Sequence, residues 1–507
     1  MEAKLAALRE KNKELNVRVK TSEKQIRELE KQNVFLQRKN AYLIAQLFGR
    51  KSEKLDPNQP ELLPGFEIPE AAETEDENPL PVLTRSRRKR RDRTPQLPED
   101  IPTEEIFLDP EEVRANPESF VCIGEEITRE LDVIPAAYIL KLLIRRKFVR
   151  KIERNLAPII APLPPRLIPC SIASASLVCD IVLKKYQDHL PLYRQERILR
   201  ERHRIELSRK TMSDWVRVVA EWLKPIYNHL AEELRLSGYL QVDETPVRYA
   251  NAEGGGSGLG YLWVYHHPGS DVLYEWHTGR GADCLEKMLG GFAGTVQSDG
   301  YSAYKSYARG REQIVLCGCW AHARRKFFEA LDEEPGFAGW ILNQIGHLYR
   351  IESRLRRGNA GARLRDAVRG AHSRMILERI EKSLRLKLSR FLPQSQMGKA
   401  VAYTLRHWKQ LVRYSENGIL EIDNNLVENA IRPTCLGKKN WLFIGHPEAG
   451  ERSAIIYTLL ESCKRHRINP QEYLRDVLSR LPAMKMKQTK ELTPANWAKA
   501  QNQQQAA

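Results

Sequence analysis

Three carboxylates in the second half of the sequence have the surroundings expected of metal ligands. Asp243 ends one predicted strand, Asp299 ends another, and Glu428 lies in a predicted helix that starts near Asn424. Carboxylate oxygens are the ligands that Mg²⁺ prefers. At a phosphodiester, two such ions about 4 Å apart activate a water or a 3′-hydroxyl and stabilise the leaving oxygen. We therefore expect two Mg²⁺ or Mn²⁺ ions, with Asp243 bridging both while Asp299 and Glu428 complete one each.

The two aspartates have competing interpretations. Glu244 follows Asp243, and because side chains alternate along a strand, only one of the two can face the site. We choose Asp243, since the apolar Val242 then faces the other side. Asp299 precedes a glycine in a strand-to-helix turn, where an aspartate is often no more than a helix cap.

Glu428 has two competitors of its own. It could be a solvated helix residue that pairs with Arg432 one turn later. Asp423 is the other candidate for third ligand, although the string Asp423-Asn-Asn has the pattern of a helix cap. Sequence alone leaves both alternatives open, and the geometry of the folded chain must separate them.

The whole chain is basic, with 82 Lys and Arg against 65 Asp and Glu and a net charge of +17 over 507 residues. Such a charge indicates a polyanionic partner, either nucleic acid or an anionic membrane surface. No apolar stretch reaches the length of a membrane span, and the N-terminus has no secretory signal pattern. A cytoplasmic protein is predicted. The eight scattered cysteines, with no C-x-x-C pair, agree with that compartment.

The elements around the carboxylates predict an α/β domain over 237–448. Three strands come first, then a helix, a fourth strand that ends at Asp299, a short helix and a fifth strand. A long helical insertion follows at about 333–415, before the helix of Glu428. This arrangement is typical of a ribonuclease H-like fold, in which aspartates lie on the first and fourth strands and a further carboxylate lies on a later helix. Fold alone does not give function.

A heptad pattern predicts a coiled coil over 1–51. The a positions are Leu5, Asn12, Val19, Ile26, Asn33, Asn40 and Leu47, and the d positions are Leu8, Leu15, Ser22, Leu29, Leu36 and Leu43. Asparagine at a with leucine at d favours a parallel dimer, so we expect a homodimer or a higher oligomer. The alternative, a single amphipathic helix on its own body, would bury three asparagines against an apolar surface.

Residues 52–100 lose this periodicity and are predicted to be a disordered linker, acidic first and then basic. The basic run at 85–93 could follow DNA phosphates or simply be solvated. Residues 101–165 read as a small β-rich module, with a strand over 139–149. Helices are predicted at 449–484, and the tail at 485–507 is predicted to be disordered.

Residues 166–236 have the outline of a helix-turn-helix DNA-binding region. The pattern is a short helix, a short turn and a second helix that carries Arg209, Lys210 and Arg217, with Ser208 or Thr211 as its N-cap. In a helix-turn-helix domain the second helix contacts the DNA bases. An ordinary helical hairpin with a solvated basic face fits the spacing equally well.

At these residues the chain resembles the transposases of the insertion sequence family numbered sixty-six, the large protein of those elements. The matching strings run in order along nearly the whole sequence: Leu47-Phe-Gly-Arg-Lys-Ser-Glu-Lys-Leu55; Lys185-Tyr-Gln-Asp-His-Leu-Pro-Leu-Tyr-Arg-Gln-Glu196; Val242-Asp-Glu-Thr-Pro246; Ser298-Asp-Gly-Tyr-Ser-Ala-Tyr304; Cys319-Trp-Ala-His-Ala-Arg-Arg-Lys-Phe327; Asp423-Asn-Asn-Leu-Val-Glu-Asn-Ala-Ile-Arg-Pro433; and Lys438-Lys-Asn-Trp-Leu-Phe443.

This resemblance implies an Asp-Asp-Glu transposase on a ribonuclease H-like core, which cuts the element's ends and joins them to target DNA. Members of the family usually carry a zinc module with two cysteine pairs. Here the corresponding stretch keeps only Cys122, so we expect a remnant of that module without zinc. The resemblance also implies small accessory proteins from the same element.

Further residues in these strings are candidate DNA contacts. His322 and Arg325 could touch a phosphate, Lys438, Lys439 and Trp441 could clamp DNA, and Arg432 could orient Glu428 or bind phosphate. Plain structural roles are the alternative for all six. Cys319 and His322 have a metal-like spacing, but two ligands are too few for a site.

Other functions remain open at this point. A nuclease of the same fold would share the carboxylates and the basic charge. An inactive DNA-binding relic or regulator of the element would keep the coiled coil and the helix-turn-helix. The missing cysteines favour it, and the three intact carboxylates argue against it. A coiled-coil scaffold explains only the first 50 or so residues.

Overall fold

The computed structural model describes residues 138–144, 147–148, 159–160, 164–169, 171–250 and 256–506. Residues 138–144 belong to one compact unit and the remaining described residues to another. The first of these segments has no regular secondary structure, so the strand predicted over 139–149 is present, among the described residues, only at Lys147–Phe148. The predicted coiled coil, the linker, Cys122 and most of the small module lie outside the described residues.

A five-stranded mixed sheet forms the centre of the larger unit. Its strands are β3 (Tyr239–Ala250), β4 (Ser257–His266), β5 (Val272–His277), β6 (Gly294–Gln297) and β7 (Ile314–Cys317), and a separate two-stranded pair joins β1 (Lys147–Phe148) to β2 (Ile159–Ile160). The order is β5-β4-β3-β6-β7, with β3, β4 and β5 antiparallel and β6 and β7 parallel to β3. The predicted sequence of strands is confirmed, although β4 begins earlier than predicted, within the expected glycine-rich turn.

Helices account for most of the other described residues. Three helices precede the strands of the sheet in the sequence: α1 (Ala175–Tyr186), α2 (Leu192–His203) and α3 (Arg209–Arg235). Two lie between its strands in the sequence: α4 (Glu286–Leu289) and α5 (Ser302–Ala308). The others described follow the last strand: α6 (Trp320–Glu329), α7 (Pro335–Arg357), α8 (Ala362–Val368), α9 (Arg374–Lys387), α10 (Gln396–Arg406), α11 (Trp408–Val412), α12 (Asn425–Trp441), α13 (Glu448–Arg465), α14 (Pro470–Arg480) and α15 (Pro494–Ala506). A π-helical turn at Arg369–Ser373 separates α8 from α9.

The helical insertion, α7 to α11, packs on one end of the sheet. Its buried apolar side chains, such as Ile341 and Ile380, form one cluster with Trp320 of α6 and with Tyr239 and Cys317 of the strands. The insertion therefore shares a core with the sheet, and a shift of one would move the other.

Helices α2 and α3 form the predicted helix–turn–helix pair. Ser208 caps α3, because its hydroxyl accepts a hydrogen bond from the backbone N–H of Thr211 at 3.1 Å. The apolar face of α3, including Trp215 and Val219, is buried. Arg209 and Lys210 are exposed at its first turn.

The C-terminal segment is ordered, which corrects the predicted disordered tail. A 3₁₀ helix at Met486–Leu492 leads into α15. Trp497 is buried, its ring packs edge-on against Tyr473 of α14, and its indole N–H donates to Asp476 at 2.8 Å. The polar composition of the last residues led to the prediction of disorder, whereas the packing of a single apolar side chain, Trp497, fixes the helix.

The six cysteines in the described part of the chain are all free. Among the helices described, none combines the length and apolarity required to cross a bilayer.

The free edge of β5 is covered by hydroxyl groups rather than by another strand. Thr458 and Ser462 of α13 accept hydrogen bonds from the backbone N–H groups of Tyr274 and Val272, at 2.9 and 3.2 Å. The phenol of Tyr227 in α3 donates to the carbonyl of Tyr274 at 2.9 Å. An unpaired sheet edge costs free energy and invites aggregation, so these side chains complete the sheet and fix α3 and α13 to it.

Replacing Thr458 with valine should therefore destabilise the protein. Thr458→Val keeps the shape but leaves the N–H of Tyr274 buried without an acceptor, which costs about 1–3 kcal/mol. The matched control is Thr404→Val, because the equally buried hydroxyl of Thr404 bonds only a carbonyl of its own helix. Urea unfolding followed by tryptophan fluorescence measures both. Equal losses would contradict the edge-pairing role.

Candidate active site

The sheet places Asp243 and Asp299 beside each other. In the parallel pairing of β3 with β6, Gln241 is opposite Gln297. Each aspartate lies two residues beyond one of these glutamines, so both aspartates are on the same sheet face at the same level. Asp299 follows the end of β6, the neighbour of β3, close to where the sequence predicted. The prediction that a strand also ends at Asp243 is wrong, because β3 continues to Ala250 through its antiparallel pairing with β4.

Glu244 lies on the opposite face and is held by other partners. Its carboxylate accepts hydrogen bonds from Arg280 at 2.8 and 2.6 Å and from the phenol of Tyr304 at 2.5 Å. The side chain is buried. Of the two adjacent carboxylates, Asp243 is thus the one that shares a face with Asp299.

Asp243 is surrounded by negative charge. Burial, followed by the charges of Glu244, Glu428 and Asp299, raises the pKa of Asp243 to about 8. Its carboxylate accepts the backbone N–H of Glu244 at 2.9 Å, and within the described ranges no lysine or arginine forms an ion pair with it. Repulsion of this kind favours either a bound proton or a bound cation.

Asp299 acts as a turn residue as well. Its carboxylate accepts the backbone N–H of Tyr301 at 2.8 Å, and its carbonyl accepts the phenol of Tyr403 at 2.6 Å. The first contact closes a turn before α5 and is not a helix cap, because the cap residue of α5 is Tyr301. Gly300 has a φ of +87°, and a Cβ there would lie 2.6 Å from the ring of His407. Only glycine fits this turn, so the insertion helps to fix the position of Asp299.

The geometry also separates Glu428 from Asp423. The two carboxylate oxygens of Asp423 accept from the backbone and side-chain N–H groups of Asn425, at 3.2 and 3.0 Å, so Asp423 closes the start of α12. Glu428 lies one turn later. Burial and the charges of Asp423 and Asp299 raise the pKa of Glu428, and its buried Oε1 has no hydrogen-bond donor in the part of the chain that the structure describes. These contacts favour Glu428 as the third ligand.

Glu428 also completes a second group of ligand atoms. Cys319, His322 and Glu428 each offer one, all within 4.8 Å of one another, and His322 Nδ1 is 3.7 Å from Glu428 Oε1. The sequence pointed to Cys319 and His322 as two possible metal ligands, and the folded chain brings Glu428 beside them as a third. Burial is the main cause that lowers the pKa of His322 to about 4, so its imidazole is neutral at pH 7.

Some of the candidate DNA contacts lie at or near the carboxylates, and the others lie elsewhere. Arg325 and Arg432 are exposed, and their charges both lower the pKa of Glu428, which puts them at the carboxylates. Lys438 donates to Thr245 and to the carbonyl of Pro246, which follow Asp243 in the middle of β3, at 3.3 and 3.2 Å.

The remaining candidates are not gathered at the carboxylates. Lys439 is exposed on α12, and Trp441 lines a cavity to which none of the three carboxylates contributes. Arg217 of α3 is paired with Glu221 at 2.8 Å, so its guanidinium already has a partner. Exposed pairs of this kind are weak and do not prevent a phosphate contact.

Two glutamines that sequence reasoning missed hold the site together. The buried amide of Gln241 donates to the carbonyl of Asp423 at 2.8 Å, and that of Gln297 donates to the carbonyl of Glu421 at 2.8 Å. Tyr239 joins them, because its phenol donates to Gln297 at 2.5 Å. The sequence did contain a signal for this pair, because a glutamine lies two residues before Asp243 and another two residues before Asp299.

The segment before Asp423 is held from the other side by buried arginines. Arg369 is fully buried, forms two 2.7 Å hydrogen bonds with Glu352, and donates to the carbonyls of Tyr414 at 2.7 Å and Leu420 at 2.9 Å. It opens the π-helical turn, a feature often found near functional sites. The insertion thereby positions the chain that enters α12.

Comparison with known proteins places this geometry in a family. Residues 170–452, which contain all three carboxylates, match the model described as "Transposase IS66 family", and residues 458–495 match the "IS66 C-terminal element". The chain belongs to the IS66 transposase family. A third model, "Transposase C of IS166 homeodomain", matches residues 36–106, N-terminal to the predicted helix-turn-helix region.

Three relatives from Sinorhizobium fredii resemble this transposase over most of their length, each named as an uncharacterized protein. The protein y4jD is 31% identical over 92% of this chain and 95% of its own length. For y4qI the identity is 32%, over 71% of this chain and 69% of the relative, and for y4hP it is 26%, over 92% and 89%.

Breaking the buried arginine pair should cost far more than breaking an exposed one. Arg369→Met leaves the carboxylate of Glu352 buried and uncompensated, which lowers the free energy of unfolding by about 3–5 kcal/mol. Arg385→Met is the control, since Arg385 pairs with Glu381 on the surface of α9, and we expect it to change stability by less than about 1 kcal/mol. Urea unfolding compares the two, and a small effect for Arg369→Met would contradict its supporting role.

The metal-free protein should lose stability as the pH rises from about 4 to about 8. The pKa of Asp243 is about 8 in the folded protein against an ordinary 3.8, so the folded state binds more protons than the unfolded state in this window. In EDTA, the melting temperature of wild type should fall more steeply with pH than that of Asp243→Asn.

The control for this measurement is Asp283→Asn, because Asp283 is exposed and lies outside the site. It should keep the wild-type slope. Added Mg²⁺ should raise the melting temperature of wild type at pH 8 more than that of Asp243→Asn. Parallel curves for wild type and Asp243→Asn would contradict the electrostatic coupling.

Proposed function

We propose that this IS66-family protein is an Asp-Asp-Glu transposase, which cleaves DNA at the ends of its element and transfers the strand to target DNA. The observation that carries the proposal is the convergence of Asp243, Asp299 and Glu428, because the chain brings them together from two strands and a distant helix. Fold similarity would not assign these roles, whereas a site with three close carboxylates has specific chemistry.

The proposed class of the core is ribonuclease H-like. Support comes from the sheet order, with three antiparallel strands followed by two parallel ones, and from aspartates at the first and fourth strands. The helix after the insertion then carries the third carboxylate. This arrangement agrees with the plan that the sequence predicted.

Asp243, Asp299 and Glu428 would hold the Mg²⁺ or Mn²⁺ ions. Their environment fits cations, because within the described residues Asp243 accepts only a backbone N–H and Glu428 Oε1 accepts no donor. When bound, divalent ions activate the attacking oxygen and stabilise the leaving oxygen of a phosphodiester. The protein contributes the placement of the carboxylates, which the glutamine pair and Gly300 fix.

Cationic side chains around the carboxylates would bind the DNA backbone. Arg325 and Arg432 flank Glu428 and are exposed, so both can reach phosphates. Lys438 contacts Thr245, two residues after Asp243 in β3. His322 is neutral at pH 7, and its imidazole would take part as a hydrogen-bonding group rather than as a charge.

Other parts of the proposal concern recognition and assembly. Exposed Arg209 and Lys210 at the start of α3 would contact the ends of the element. The coiled coil would join two or more copies, so that two ends are held together, and accessory proteins of the element would assist. This chemistry would take place in the cytoplasm.

The experiment measures cleavage and joining of DNA that carries the terminal repeats of the element, with Mg²⁺ or Mn²⁺. Asp243→Asn, Asp299→Asn and Glu428→Gln should each reduce both steps by at least about a thousandfold while DNA binding is kept, since each removes a ligand charge. Asp423→Asn is the control and should stay active, because the amide oxygen of asparagine can still accept the backbone N–H of Asn425.

Each other outcome selects a different function. Binding without cleavage, even with accessory proteins supplied, would support an inactive relic or a regulator. Cleavage without joining would support a nuclease. Activity of Glu428→Gln together with loss in Asp423→Asn would move the third ligand to Asp423.

A further inference from the structure

Two of the sequence strings that resemble the family contribute residues to one cavity, and none of the three carboxylates lines it. The strings are 185–196 and 438–443, far apart in the chain. The cavity measures about 80 Å³, several times the room that one water needs. Its lining includes Lys185 and Tyr186 of α1, Ser213 of α3, Trp441 and Phe443 at the end of α12, and Arg452 of α13.

Lys185 and Arg452 bring two positive charges to this cavity. Both are half-buried, and in the part of the chain that the structure describes neither forms an ion pair with a carboxylate. Burial and the charge of Arg452 lower the pKa of Lys185 to about 8. Two neighbouring cations that are partly removed from water are stabilised by an anion between them.

A strained turn forms the rim of the cavity. Leu442 has φ +61° and ψ −44°, a conformation that non-glycine residues rarely adopt, and the N–H of Phe443 donates to the carbonyl of Trp441 at 2.7 Å. The turn leaves two large apolar side chains in solvent, with Leu442 68% and Phe443 52% exposed. Strain and apolar exposure both cost free energy, which indicates a role in binding.

The turn is held firmly on both sides. The N–H of Leu442 donates to the carbonyl of Lys438 at 2.9 Å, and the N–H of Ile444 donates to the carbonyl of Arg248 at 2.8 Å. The second contact joins the turn to β3, the strand of Asp243. Gly437 leaves room for Trp441, because a Cβ there would lie 2.7 Å from the indole nitrogen. The exposed side chains therefore stand on rigid elements.

We propose that this cavity and turn bind a DNA nucleotide whose base has left the stack. Lys185 and Arg452 bind its phosphate, while Phe443 and Leu442 pack against the unstacked base. Aromatic side chains stack on any base, and apolar side chains inserted between bases are a common way to separate them. The inference rests on the proposed function in one respect, since it takes DNA as the substrate.

The first test compares binding to two DNA duplexes that share one strand, with a complementary strand that pairs every base in the first duplex and lacks the partner of one base in the second. Wild type should prefer the duplex with the unpaired base by roughly tenfold, the size of one stacking contact. Phe443→Ala should reduce this preference to nearly one. Leu386→Ala, which shortens an exposed apolar side chain on α9, should keep it.

The second test measures how the affinity for the unpaired-base duplex falls with salt. The double variant Lys185→Gln/Arg452→Gln should lower the slope of log affinity against log salt by about one, because both cations neutralise the same phosphate. Arg385→Gln should leave the slope unchanged. A change of about two would mean two separate phosphates and would overturn the shared site.

Other results also overturn the inference. Equal binding of the two duplexes by wild type, or a preference that survives Phe443→Ala, rules out the unstacked nucleotide. Neither result affects the proposed function, which depends on cleavage and joining by the carboxylates. If wild type prefers the duplex with the unpaired base but does not cleave DNA, the proposed function is overturned and the inferred nucleotide site is still supported.

Discussion

The hydrogen bonds from Gln241 and Gln297 to the chain before α12 are the constraint on which the site depends. Both amides are fully buried on the sheet face of the two aspartates, and they bind the carbonyls of Asp423 and Glu421. Buried amides that lose their partners cost free energy, so the strands and the entry to α12 can move only together. Three carboxylates that repel one another are thus kept close by neutral groups beneath them.

The insertion and the C-terminal helices support this constraint from opposite sides. Arg369 binds Glu352 and the carbonyls that lead toward Glu421, while Thr458 and Ser462 complete the far edge of the sheet. Each contact satisfies a buried polar group that would otherwise be unpaired. The long spacing between Asp299 and Glu428 therefore contains a structural support for the site rather than a simple connection.

The charges of the site and of its surroundings have opposite signs. Within the cluster, burial and mutual repulsion raise the pKa of Asp243 and of Glu428. Around it, Arg325 and Arg432 are exposed and basic, in a chain with a net charge of +17. A polyanion would be attracted to the surroundings, and a cation would be attracted to the centre.

The sequence by itself predicted the succession of strands along the chain, the helical insertion and the three candidate carboxylates, because alternation, helical period and residue type are local properties of the chain. It chose Asp243 over Glu244 and left Asp423 open as an alternative to Glu428. The tertiary structure separated the two members of each pair, since burial, hydrogen-bond partners and proximity depend on the folded chain. For the same reason only the fold showed the glutamine pair, the ordered C-terminal helix held by Trp497, and the cavity where Lys185 meets Arg452.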